Sequence, residues 1–101
     1  MNEKLHTPAV DMLFDAILSL KNREECYTFF EDIATINEVL SLAQRFEVAG
    51  MLYEGRTYLE IAGNTGASTA TISRVNRSLI YGNDGYEMVF GRIGKGKKKA
   101  T

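Results

Sequence analysis

The chain has 101 residues, enough for one domain and too few for two. Its 45% hydrophobic and 25% charged residues are those of an ordinary globular protein and argue against disorder throughout. No apolar run approaches the ~18 residues that span a bilayer. The formal net charge of −1 hides a split. Ten acids against four bases from Met1 to Gly55 leave −6, and eight bases against three acids from Arg56 onward leave +5. The second half therefore suits a polyanion. Cys26, the only cysteine, excludes an intrachain disulfide, and the N-terminus has neither the basic nor the apolar segment of a secretory leader; the expectation is a cytoplasmic protein.

In chain order, Thr7-Pro8 reads as an N-cap followed by proline at N1. Val10, Leu13, Phe14, Ile17 and Leu18 then mark one apolar face of a helix. The pattern breaks near Asn22. Cys26, Phe29, Phe30 and Ile33 imply a second helix, with Glu24 and Glu25 in its first turn, where the helix dipole favours acids. Cys26 on that face is expected to be a small core residue.

Thr35-Ile36-Asn37-Glu38 is a capping-box sequence, and the helix it opens should run to about Glu54 before Gly55 stops it. Its apolar residues are too many for one stripe, so more than one side must be covered. A second subunit is one source of cover, and the centre of a monomeric bundle is the alternative. Thr57-Tyr58-Leu59-Glu60 repeats the capping box and opens a short helix, and Ser68 caps another that ends near Tyr81. After the turn signal Gly82-Asn83-Asp84-Gly85, the residues Tyr86, Val89, Phe90 and Ile93 stand at helical spacing. Asp84 is placed as their cap and Glu87 at N3. The fold class is all-α, with a helical domain over 1–94 and a basic, disordered tail over 95–101.

The segment from Tyr58 to Ile80 meets the demands of a helix-turn-helix. Ala62 is the small residue where two helices cross, and Gly66 supplies a turn residue that reaches left-handed φ. Ala67, Ile72 and Val75 face back to the core. The outward residues of the second helix are Ser68, Thr69, Ala70, Thr71 and Ser73, then Arg74 and Arg77. Short side chains at the start of a recognition helix permit close approach to the major groove. Thr69, Thr71 and Ser73 are able to bond bases or phosphates, whereas Arg56 and Arg77 are cast as phosphate contacts.

From Thr57 to Leu79 the chain resembles the Trp repressor family, in particular its YerC/YecD group of helix-turn-helix proteins. The strongest block is Gly66-Ala67-Ser68-Thr69-Ala70-Thr71-Ile72-Ser73-Arg74, and weaker similarity reaches back through Gly55, Arg45, Asn37-Glu38 and Thr35. The resemblance implies an intertwined, all-helical homodimer that reads an operator of two symmetric half-sites in double-stranded DNA. It also implies an effector pocket, because Thr35, Arg45, Arg74 and Ser78 match positions that hold the family's co-repressor. Glycine follows the matching arginine in the repressor, and here that residue is Val75. The expectation is an effector other than tryptophan, or none.

Several features are set aside. Gly91 to Lys97 imitates a phosphate loop, but Lys98 replaces its Ser/Thr and no strand precedes it. The lysines from Lys95 to Lys99 are an added phosphate attraction or a solubilising tail. His6 has no partner at metal-ligand spacing, and the Glu24-Glu25 and Glu31-Asp32 pairs read as solvated helix surface. Neither a metal, a cofactor nor a catalytic constellation is expected. A rival to transcriptional regulation is a protein-interaction adaptor that keeps the fold without specific operator binding, using the acidic first half.

Overall fold

The computed structural model describes residues 2–94. Among them are a turn of 3-10 helix, η1 (Glu3–Leu5), and six α-helices, with no strand. The helices are α1 (Pro8–Leu18), α2 (Arg23–Ile33), α3 (Ile36–Tyr53), α4 (Tyr58–Thr65), α5 (Thr69–Tyr81) and α6 (Gly85–Ile93). None of the described helices is long and apolar enough to cross a membrane. The basic tail expected over 95–101 lies outside the described residues.

Helix starts follow side-chain chemistry. The Val10 amide donates to Thr7 Oγ1 at 3.1 Å, and the Glu25 amide to Asn22 Oδ1 at 2.9 Å. At α3 both halves of the capping box form. The Glu38 amide donates to Thr35 Oγ1 at 3.1 Å, and the Thr35 amide to Glu38 Oε1 at 2.8 Å. Such caps satisfy helix amides that have no partner within the helix, each stabilising by about 1 kcal/mol. α3 ends in a two-bond C-cap, with the Arg56 amide on the Met51 carbonyl at 3.0 Å and the Gly55 amide on the Leu52 carbonyl at 2.9 Å.

Contacts divide the chain between Val39 and Leu40. In the first unit no residue of η1, α1 or α2 is buried. Met12 is 71% exposed, Leu18 81% and Ile36 76%. Cys26, expected in a core, is exposed. Its spacing places it on one side of α2 with Phe29, Phe30 and Ile33, but periodicity alone does not bury a face. Phe29 and Phe30 meet edge to face with ring centroids 5.6 Å apart.

The second unit contains the buried hydrophobic residues. Val48 and Ala49 come from α3, Ile61 from α4, Ala67 from the turn, Ile72 and Val75 from α5, and Phe90 from α6. The Phe90 ring lies 5.0 Å from that of Tyr53, 5.2 Å from Phe46 and 6.1 Å from Tyr86. Aromatic pairs at these separations add attraction beyond simple burial. Asp84 does occupy the N-cap position of α6, but at φ 61°, and its side chain makes no capping bond. Aspartate is among the few residues besides glycine that tolerate this region. At Gly82, which follows α5, any Cβ would collide with the Ser78 carbonyl oxygen.

Candidate nucleic-acid interface

α4 opens on the second capping box. The Glu60 amide donates to Thr57 Oγ1 at 3.2 Å, while the Thr57 amide and hydroxyl both donate to Glu60 Oε1, at 3.3 and 3.1 Å. The other oxygen, Oε2, accepts Arg56 Nε at 3.0 Å. These Thr57 bonds, backbone first, hold the Glu60 carboxyl below the usual glutamate range, and Arg56 adds a smaller contribution. Glu38 is lowered likewise by Thr35.

The turn into α5 rests on Gly66 at φ 71°, whose amide donates to the Ala62 carbonyl at 3.0 Å. A Cβ there would meet open space, so the turn requires glycine for its dihedral and not for room. Thr65 pins the turn from inside: its hydroxyl donates to the Ile61 carbonyl at 2.7 Å and accepts the Ala67 amide at 3.1 Å. From α3, Gln44 Nε2 donates to the Thr65 carbonyl at 3.2 Å. The sequence reading missed Gln44 and Thr65. The only signal was a polar side chain, Gln44, on a helix otherwise rich in apolar residues.

Ser68 caps α5, its Oγ accepting the Thr71 amide at 3.1 Å and donating to Thr71 Oγ1 at 3.1 Å. Those two hydroxyls are engaged with each other at the helix start. Ile72 and Val75 point inward and are buried, Val75 to 2% exposure, against Ile61 and Ala67 in the same core. Thr69, Ala70, Ser73, Arg74 and Arg77 are exposed. Neither Arg74 nor Arg77 pairs with a carboxylate among the described residues, unlike Arg56.

The residues matched to an effector pocket are each on the surface. Arg45 on α3 is exposed, as are Arg74 and Ser78 on α5. Thr35 is also exposed, and its hydroxyl already accepts the Glu38 amide. Val75, beside Arg74, is used by the motif's own core. Among the described residues no group of three or more His, Cys, Asp or Glu is placed to hold a metal ion.

Two packed helices joined at a left-handed glycine, with a shared apolar core and a polar, basic outer face on the second, define an all-α helix-turn-helix protein. The Trp repressor protein family matches residues 8–93. Over 91 residues the chain is 63% identical to the uncharacterized protein YerC of Bacillus subtilis (strain 168), a match that covers 90% of this chain and 88% of that one. A crystal structure of a TrpR-like protein from Eubacterium eligens ATCC 27750 superposes with a TM-score of 0.92 at 70% identity, covering 96% of this chain and 100% of that one. A crystal structure of a Trp repressor candidate from Staphylococcus aureus also gives 0.92, at 56% identity, covering 95% and 96%. The chain belongs to the Trp repressor family.

Proposed function

We propose that the protein is a sequence-specific, repressor-like transcriptional regulator that binds double-stranded DNA as a homodimer in the cytoplasm. The observation that carries this reading is the outer face of α5, where Thr69, Ala70 and Ser73 are exposed at the start of the helix and Arg74 and Arg77 follow. Short side chains there admit the helix to the major groove. Hydroxyls of Thr69 and Ser73 reach base edges, and the methyls of Thr69 and Ala70 meet thymine. Ser68 and Thr71 fix the helix start through their mutual bond, and Arg56, Arg74 and Arg77 contact phosphates.

The homodimer reading rests on the apolar residues left exposed on α1 and α3, among them Leu18, Ile36 and Leu40. Sedimentation at micromolar concentration should find a dimer, and a stable folded monomer would remove this part of the reading. Tryptophan is not the effector, because Val75 fills the place where the family's glycine leaves room. Either DNA binding needs no effector or a ligand of another shape is used.

Selection of bound fragments from random duplex DNA tests the main reading. A recurrent, two-fold symmetric sequence is expected, with binding that weakens as salt rises. Replacing Thr69 should alter the preferred base at a contacted position, by about 1–3 kcal/mol. Absence of duplex binding even at low salt would pass the function to the protein-interaction adaptor.

A further inference from the structure

We propose that Glu60 is a positioning residue for the DNA contact of Arg56: it holds the guanidinium by its Nε edge and leaves the two terminal nitrogens for one phosphate of duplex DNA. The inference rests on the DNA-binding reading above and adds to it a carboxylate that simple electrostatics would count against binding.

Three observations lead there. First, Glu60 cannot swing freely, because its Oε1 accepts both the amide and the hydroxyl of Thr57. The capping box thus fixes the carboxylate before Arg56 is considered, and the same bonds keep it ionised. Second, Arg56 touches Glu60 Oε2 through Nε alone, at 3.0 Å. The terminal nitrogens, a planar fork suited to two parallel bonds to a phosphate, have no partner among the described residues. Third, Arg56 sits directly ahead of α4, the first helix of the motif, which is the one that crosses the DNA backbone.

The ion pair has little to do for the fold. Its side chains are 41% and 49% exposed, and such i, i+4 surface pairs contribute little to stability. Ordering is where the pair has value. A free arginine surrenders rotamer freedom when it meets a phosphate, and one already held loses less on binding. Among the described residues Arg74 and Arg77 have no such holder, so of the three Arg56 is the one set in place in advance.

The sign of one substitution separates positioning from charge. Glu60→Gln removes a negative charge near the DNA, which by charge alone tightens binding. Glutamine still serves at this position of a capping box, so the helix start survives, and a cooperative thermal transition close to the wild-type midpoint would check it. Fluorescence anisotropy with a random-sequence duplex over a range of salt should show Glu60→Gln binding several-fold more weakly than the wild type. Arg56→Ala should also weaken binding and lower the salt slope by about 0.9 per subunit, the loss of one phosphate contact. Arg56→Lys leaves the cap untouched and keeps the charge, but loses the Nε-held fork, and should be nearly as weak as Glu60→Gln. In the Arg56→Ala background, Glu60→Gln should no longer weaken binding. If the wild type binds no duplex, the DNA-binding reading fails first. If it binds while Glu60→Gln is equal or tighter, or Arg56→Lys matches the wild type, only the role of Glu60 is overturned.

Discussion

The two units of this chain solve opposite problems with the same kind of element. The second unit draws buried residues from α3, α4, the turn, α5 and α6 into one core, with Phe90 fully enclosed. The first unit has well-capped helices with clear apolar faces and buries nothing on α1 or α2. Capping and periodicity make a helix; they do not make a core. The helix-turn-helix thus packs with the help of α3 and α6 of its own unit, whereas α1 and α2 bury no residue within theirs.

The strongest way to test that contrast is to remove a large side chain from each unit. Phe90→Ala should cost about 3–5 kcal/mol, a large share of the roughly 5–15 kcal/mol that holds a domain folded. Leu18→Ala, at an exposed position, should cost under about 0.5 kcal/mol in an isolated chain. If a second copy covers that face, the cost rises toward about 2–5 kcal/mol and varies with protein concentration. Chemical denaturation at two concentrations distinguishes the cases.

Val75→Gly comes next, at about 2–4 kcal/mol from lost packing and added helix entropy. It asks whether the core of the motif and an indole compete for one space. Calorimetry should detect no micromolar L-tryptophan binding to the wild type and some gain in the variant. Micromolar binding to the wild type, coupled to tighter operator binding, would refute the exclusion of tryptophan. Thr57→Ala should cost about 1 kcal/mol in thermal unfolding, as an N-cap lost from the second unit.

The smallest effect is on acid stability. Glu38 and Glu60, one in each unit, have folded-state values below the ordinary 4.5. A depressed carboxyl stabilises the fold fully above its unfolded value and loses that contribution as pH falls through its folded value. Thermal midpoints should therefore decline somewhat below pH 4.5, and less steeply in a Glu38→Gln, Glu60→Gln double variant. Equal decline in both proteins would show that the caps do not titrate with folding.

Both capping boxes, the Gly66 turn and the inward set Ala67, Ile72 and Val75 were legible in the sequence, because each is a local pattern with one physical solution. What escaped depended on the third dimension. Cys26 lies on the apolar face that its spacing indicates, yet nothing in one chain's periodicity supplies the neighbour. The Gln44–Thr65 bond joins residues 21 apart, beyond any helical repeat. Asp84 holds the cap position in a left-handed backbone conformation, without the capping bond that an extended N-cap residue makes. Of the candidate DNA contacts, the sequence indicated the outward face of α5, but not that Ser68 and Thr71 bond each other or that Arg56 is held by Glu60.

Gly66 and Gly82 bracket α5, and a library of variants should treat them differently. At position 66 the difficulty is a dihedral angle with empty space around it, so the penalty varies with the newcomer and asparagine should survive better than valine. At position 82 the obstacle is a carbonyl belonging to the last turn of the helix, and it confronts every Cβ alike. Drift under selection should therefore leave a gradient of tolerated residues at one end of α5 and near silence at the other. A lineage could retune the start of α5 in small steps, while its exit stays closed to gradual change.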